Sequence, residues 1–504
     1  MMAAEEPTLP IVGNKVPKLL QLIESFDKNG QASVQMSSLK QCVAAAKRIS
    51  HAEVSDLSST SNTERLSNAV QLVLQAAIVP SFDSRDYFSY SEEDFEWCAE
   101  IAELVFSLIY ELLKLFRPVS RSSHVAHPQE QVVYEATHLW LYPNQLKLLI
   151  LIAAHMKGNL WSSLKTQQMC HVLLPQLLIV HKASSVQEFL CVECPCPRST
   201  SITETDKFCF FSQIMNFCKT PLGKDQWQKN PFLAEAFSWI LSNVKLPHLS
   251  EYIDQIMAIS LNFVDDHQVI NKVRGIELLH HLLLNTSAEE MRWFNRAEVI
   301  YESFKHQLYS KDACVLEKLL SCLLSLLQII EPTKSNDKLE RHHEVYETLL
   351  RETENENLIA IRRVYMTQMK AFTSQIGIGC VRHLRSTVRI VEQYLDVEDG
   401  PQDQARCDAL ALLHTVILVA WPRIHQHAQR IVQFLCKFLV NISSSVPPRS
   451  KISPDIKRHM IQQVIIILRL LMQVAPELQA CFLNLQESSS CSLQGLKQIL
   501  SEVG

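Results

Sequence analysis

The chain has 504 residues, 47 % of them hydrophobic and 20 % charged, a balance that forms packed cores and excludes a disordered chain. Only 10 residues are glycine, where average usage of about 7 % would give about 35; phosphate loops, hairpins and bulges all draw on glycine, so nucleotide-binding α/β and β-rich folds are disfavoured. Lys and Arg number 48 against 53 Asp and Glu, a net charge of −5, which is no footprint for nucleic acid.

The opening residues, Met1 to Glu6, hold no basic segment followed by an apolar one, so no secretory signal is expected. The expected location is the cytoplasm, with the nucleus also open. The longest apolar stretches are Leu146 to Ala154, Ala409 to Trp421 with His414 inside it, and Val464 to Val474 with Arg469 inside it. None reaches the ~18 uninterrupted residues of a membrane span, so no membrane partner is expected. Without a signal, the 15 cysteines are expected to be mostly reduced and buried.

Apolar residues step by three and four at Val269, Val273, Ile276, Leu279 and Leu283, as one face of a helix requires. The same step recurs at Val381, Leu384, Val388, Val391 and Leu395, and at Ile456, Met460, Val464, Ile467 and Leu471. No strand-like alternation persists over a comparable length. Ser287 stands three residues before Glu290, a capping-box spacing, and Asn295 precedes Glu298 in the same way. Pro231, Pro247 and Pro422 fall near predicted helix starts, where a missing N–H costs little.

Polar breaks at Ser50–Thr63, Arg117–Gln131, Cys191–Lys207, Glu331–Lys338, Asp396–Gln404 and Asn441–Pro454 separate helix–turn–helix units of roughly 40 residues, the length of a HEAT-type pair. The predicted fold is all-α, an α-solenoid of degenerate HEAT-like helix pairs, because one amphipathic pair cannot bury its own face and stacked neighbours can. Two or three compact bundles are the alternative. The chain is divided into an N-terminal helical-repeat region, 1–200, and a C-terminal one, 201–504.

No phosphate-cradle, H-E-x-x-H or G-x-S-x-G motif is present, so no catalytic residue and no cofactor is predicted. Cys191-x-x-Cys194-x-Cys196, with His181, Cys209 and Cys218 nearby, has part of a zinc spacing. A second C-x-x-C pair is missing, and the cluster reads as a cysteine-rich loop stiffened by Pro195 and Pro197. Arg382, Arg385 and Arg389 stand at i, i+3 and i+7 on one predicted helix, and the preceding helix adds Arg362, Arg363 and Lys370. This basic stripe is either a groove for an acidic partner surface or a solvated face paired with Glu392 and its neighbours.

A longer constellation runs from Trp227 and Asn230-Pro231 through Phe237-Ser238-Trp239, Asn271-Lys272, Gly275, His280-His281 and Leu284-Asn285. It continues with Asn295 to Tyr301, Leu308-Tyr309, Arg363, Tyr365, Gly377-Ile378, Arg382-His383-Leu384 and Tyr394-Leu395. Asp399-Gly400-Pro401 and Trp421-Pro422-Arg423 close it. In order and spacing this resembles the family of TELO-two-interacting protein two. The resemblance implies a non-enzymatic scaffold of the Triple-T co-chaperone complex, partnered by two larger helical-repeat subunits, TELO-two and TELO-two-interacting protein one. It implies clients among the phosphatidylinositol-3-kinase-related kinases, handed to the ninety-kilodalton heat-shock chaperone through an AAA-ATPase co-chaperone assembly, and hence roles in DNA-damage response and telomere maintenance. A free-standing helical-repeat adaptor for linear peptides is the rival reading.

Within the constellation, Gly275, His280, Leu284 and Tyr301 are expected to pack. Gly275 is expected to let a neighbouring helix approach closely, and Gly377 and Gly400 to mark helix boundaries. The large groups near helix starts, Trp293, Phe294, Arg296, Trp421 and Arg423, are either partner anchors or inter-helix corner packing. With Arg382, Arg385 and Arg389 they form the predicted partner-binding set.

Overall fold

The structure, a computed structural model, describes residues 15–49, 58–79, 92–116, 136–137, 139–192, 194–195, 207–332, 339–443 and 452–478. The break expected at 117–131 lies outside the described residues, as does Cys196 and the side chain of Cys194. The chain forms two compact units, Met1–Ile259 and Ser260–Gly504. The division drawn after residue 200 falls inside the first of them.

Unit 1 contains α1 (Lys15–Glu24), α2 (Ala32–Lys47), α3 (Thr60–Ala77), α4 (Glu96–Leu115), α5 (Gln145–His155), α6 (Leu164–Val180), α7 (Val186–Cys191), α8 (Phe210–Cys218) and α9 (Pro231–Ser242). Helix α4 is its hub, packing on α2, α3 and α6, while α5 packs on α9. The core is ring-rich: Trp161 meets Phe95 and Phe232, and His155 lies edge-on to Phe106 and Phe232. Residues Cys194–Pro195 and Lys207–Phe208 pair as two antiparallel strands with Cys194 opposite Phe208. These are the only strands among the described residues, too short to alter the all-α class.

Helix α10 (Ile253–Val264) runs into unit 2, which continues with α11 (Val269–Leu284), α12 (Ala288–Arg292), α13 (Arg296–Gln307), α14 (Ala313–Ile330), α15 (Glu340–Asn355), α16 (Ile359–Ile376), α17 (Leu384–Leu395), α18 (Gln404–Val419), α19 (Trp421–Ser443) and α20 (Pro454–Val474). Its order follows from the pairing. Helices α11, α14, α16, α18 and α20 each pack on the next to form one layer. Helices α13, α15, α17 and α19 form the other, and each α13–α14, α15–α16, α17–α18 and α19–α20 pair closes the core between layers. This is the stacked helix-pair architecture expected of an α-solenoid with HEAT-like pairs.

The repeat hidden in the sequence is visible in the bonds between pairs. Tyr301 donates to Glu344 and Arg341 to Glu298 at a separation of 43 residues. Tyr394 donates to the Thr353 carbonyl at 41, Arg430 to Glu392 at 38 and Lys437 to Asp396 at 41. The unit of roughly 40 residues is therefore written in contacts between different residue types, which leaves no self-similar sequence.

Several local expectations hold. Ser287 and Glu290 form a reciprocal capping box at the start of α12. Gly377, at φ 64°, ends α16 and Gly400, at φ 115°, sits in the turn before α18. A Cβ on Gly275 would lie 2.6 Å from the Ser260 carbonyl oxygen and 2.7 Å from the Val264 nitrogen, so α10 and α11 touch backbone to backbone, and only glycine permits that approach.

Other expectations are corrected. Helix α17 begins at Leu384, because Val381 and Arg382 belong to a 3-10 segment, Gly377–His383. Asn295 does not cap α13 with its side chain; it and Phe294 adopt left-handed φ values of 59° and 55°. Leu284 is exposed, being the last residue of α11 and turned off its apolar stripe. Among the described residues one helix, α14, is long and apolar enough to cross a membrane. Glu317 and Lys318 interrupt its apolar run. In the fold it lies between α11 and α16 with nine residues buried, each large one worth roughly 1.5–3 kcal/mol.

Candidate partner-binding surface

The predicted set separates into three groups. At the turn into α13, Trp293 is 60 % exposed and Phe294 85 %. The paired left-handed residues turn the chain back between α12 and α13 and push both rings outward. Arg296 sits with its guanidinium 5.3 Å from the Phe294 ring centre and donates to the Glu290 carbonyl at 3.2 Å. Arg292 donates to the Ile329 carbonyl at 2.7 Å, satisfying an acceptor at the end of α14.

The three stripe arginines are all exposed, and two of them are paired within the chain. Arg382 pairs with Glu347 at 3.2 Å and Arg389 with Glu354 at 2.6 Å. The two carboxylates stand seven residues apart on α15, and Arg382 in the 3-10 segment and Arg389 on α17 stand seven apart opposite them, so two matched rungs join these elements. Arg385, between them in sequence, is exposed and near enough to His427 on α19 to act on its charge. Burial, then Arg430 and Arg385, hold the His427 imidazole below its usual range. The α17–α19 contact repeats the device, with Arg430 bonded to Glu392 at 2.6 Å and Lys437 to Asp396 at 2.7 Å.

The other basic residues expected to extend the stripe are divided between core and surface. Arg362 is buried, its guanidinium 3.6 Å from the Tyr394 ring centre, with one donor to the Glu356 carbonyl. Arg363 clamps the Asp399 turn, bonding its carboxylate at 2.9 Å and its carbonyl at 2.6 Å. Asp399 in turn accepts from the Ala405 N–H at the start of α18. Lys370 alone of the three stays exposed. The guanidinium over a ring is a core cation–π contact that helical spacing did not announce.

The third group is Trp421 and Arg423, in the first turn of α19. Trp421 is 60 % exposed, while Ile424 beneath it is buried. Among the described residues neither Arg423 nor Arg385 has an ion-pair partner, and both are exposed.

The histidines and the described cysteines of the predicted clusters sit in packed surroundings. His280 reaches Ser325 at 3.1 Å, and His281 lies near Asn285 at 3.3 Å. His181 contacts Gln145 at 2.8 Å and lies against the rings of Phe189 and Phe210. Cys191 ends α7 buried, its thiol pushed up to about 12 by burial and by Cys209. Burial alone lifts Cys218 to about 12, and the Cys209 sulfur accepts from the Ser212 N–H as a helix cap. Among the described residues no three metal-ligating side chains gather.

A cluster that sequence reading missed joins α15, α16, the 3-10 segment and α17 of unit 2. His343 and His383 share a 2.8 Å ring-to-ring hydrogen bond. Beside them Tyr346 bonds Thr373 at 2.9 Å and Thr387 at 3.3 Å. The signal was the His342-His343 pair, which lies 40 residues before His383.

Stacked helix pairs joined by inter-pair rungs, with large side chains displayed at helix ends, define a helical-repeat protein. Residues 219–401 match the model of the Tti2 family. The resemblance read from the motifs is thus matched by the family model over that stretch. It is 32 % identical over 307 residues to TELO2-interacting protein 2 of Rattus norvegicus, covering 60 % of this chain and 58 % of the relative. The Homo sapiens protein of the same name is 31 % identical over 299 residues, covering 58 % and 57 %. The match thus spans less than two thirds of these relatives. Among solved structures, Kap95p with RanGDP aligns at TM-score 0.43 and 9 % identity over 97 % of this chain and 67 % of that one. An engineered protein aligns at 0.37 and 10 % over 97 % and 98 %. Those scores are too low to bear on function.

Proposed function

We propose that the chain is a non-catalytic scaffold subunit of the Triple-T co-chaperone complex, working in the cytoplasm and nucleus. In this reading it binds TELO2 and TELO2-interacting protein 1, and the assembly supports maturation of phosphatidylinositol-3-kinase-related kinases, and through them DNA-damage response and telomere maintenance. The observation that carries it is the similarity over about three fifths of the chain to proteins named TELO2-interacting protein 2. The exposed aromatic residues at helix ends support it physically, since Trp and Arg are the usual energetic anchors of interfaces.

The test is co-expression with TELO2 and TELO2-interacting protein 1. The expected result is a stable complex of equal stoichiometry, with poor recovery of the chain expressed alone. Depleting the chain should lower kinase protein levels without lowering their transcripts. A monodisperse chain that co-purifies with neither subunit would end the reading.

A further inference from the structure

In unit 2 the ends of α16 and α18 and the starts of α17 and α19, the last at Trp421, lie at one end of the stack. Arg363–Asp399 and Thr367–Asp408 bonds of 2.9 and 2.7 Å set α16 and α18 side by side and parallel. This brings the end of α16, with exposed Ile378 just beyond it, level with exposed Leu418 at the end of α18. Trp421 follows Leu418 by three residues. In the other layer the Arg430–Glu392 rung fixes the register of α19 against α17. Counting seven residues back from both partners reaches Arg423 and Arg385. These two arginines therefore stand abreast at the starts of adjacent helices, about 10 Å apart by the spacing of packed helices.

Among the described residues no carboxylate pairs with either arginine. Glu347 and Glu354 are taken by Arg382 and Arg389, and Glu392 by Arg430. What remains is an apolar strip, Ile378, Leu418 and Trp421, flanked by two unpaired cations. The spacing selects the occupant. Carboxylates two turns apart on an α-helix are separated by about 10 Å, the separation of Arg385 and Arg423, and the residues between them at i+3 and i+4 form the face that meets the strip.

We propose that this surface docks an acidic amphipathic helix of a partner protein, whose carboxylates at i and i+7 pair with Arg385 and Arg423 and whose apolar residues cover Trp421, Leu418 and Ile378. The inference rests on the scaffold reading and names the surface that reading would use. Arginine suits the task, since its planar fork takes a carboxylate bidentately, and the neighbouring apolar strip excludes water from the pairs.

The experiment uses the full chain co-expressed with TELO2 and TELO2-interacting protein 1. Trp421→Ala and the double reversal Arg385→Glu/Arg423→Glu should each lower partner recovery about tenfold or more, with unchanged helical content. Arg458→Glu, an exposed reversal on α20, should leave recovery at the wild-type level. Because a variant can lose solubility for other reasons, a photo-crosslinking benzoylphenylalanine placed at position 421 supplies an independent measurement. Its expected crosslink is to a partner helix bearing Asp or Glu two turns apart. Wild-type recovery by both variants overturns the surface while leaving the scaffold reading intact. So does a crosslink to a non-acidic segment or to a second copy of this chain. Failure of the wild-type chain to co-purify overturns the scaffold reading and this surface with it.

Discussion

In unit 1 the rings pack against rings: Trp161 against Phe95 and Phe232, His155 against Phe106 and Phe232. In unit 2 three buried tyrosines, one on each of α13, α15 and α17, send their hydroxyls into neighbouring helices, to Glu344, to Thr373 and Thr387, and to the Thr353 carbonyl. A ring contact asks for shape and tolerates a swap of similar volume. A buried hydroxyl asks for shape and for a partner atom at the right place. The second kind of core leaves residues that can be read as motifs, and Tyr301 and Tyr394 were read that way. Cross-pair bonds in unit 2 keep close to one repeat length. In unit 1 the described ones range from 36 residues, Gln145 to His181, to 77, Asn144 to Ser67.

Glycine substitution gives the widest separation between the units. Gly275→Ala forces a Cβ onto the α10 backbone and should cost about 3 kcal/mol. Gly158→Ala, whose Cβ would meet nothing nearer than 3.5 Å, should stay within about 0.5 kcal/mol. Urea midpoints and hydrogen exchange across α11 measure both, and equal effects would dissolve the contrast.

Acid should come next, and here the units should behave alike. Burial holds His155 at about 3. Burial, then His343 and Arg382 against the opposing pull of Glu347, hold His383 at about 4. Both histidines are neutral in the fold and titrate near 6.5 when unfolded. The unfolded chain therefore binds more protons below that value, and stability present above pH 6.5 is lost as pH falls toward 4. Melting temperature should drop between pH 7 and 5, and His383→Gln should flatten the drop in unit 2. A level profile over that range would contradict the buried neutral pairing.

Tyr346→Phe should cost about 1 kcal/mol, because Thr373 and Thr387 keep their own helix acceptors, Met369 and His383. Tyr301→Phe should cost less, since Glu344 retains Lys305 at 2.6 Å and Arg341 at 3.5 Å. Smallest is Arg430→Ala, which breaks a half-exposed rung worth a few tenths of a kcal/mol. Double-mutant cycles with Glu392 would size it, and a coupling above about 1 kcal/mol would mean the rungs act as a cooperative network.

The helices, the capping box at Ser287 and the close approach at Gly275 were legible because each has a local cause: an apolar period, a three-residue spacing, a missing Cβ. The partners of Arg382 and Arg389 were not legible, because helical spacing fixes angles on one helix only. It says nothing about which adjacent helix carries glutamate at a matching i, i+7. Arg362 looked like surface for the same reason, its stacking partner Tyr394 being 32 positions away. Leu284 and Asn295 were misplaced by chain direction at helix ends, where periodicity stops and backbone conformation takes over. The repeat length was inferred from the breaks, while its mechanism, ion-pair rungs between successive pairs, appears only in three dimensions.

The rungs between α15, α17 and α19 carry an elastic consequence. They all lie in one layer, half-exposed, where salt screens them, while the apolar contact between layers is untouched by moderate salt. Ionic strength thus loosens one side of unit 2 and not the other, as heating bends a strip made of two metals. The expected response to salt is a change of curvature in unit 2 at constant helical content, so the surface offered to a partner would be set by the medium as well as by the residues.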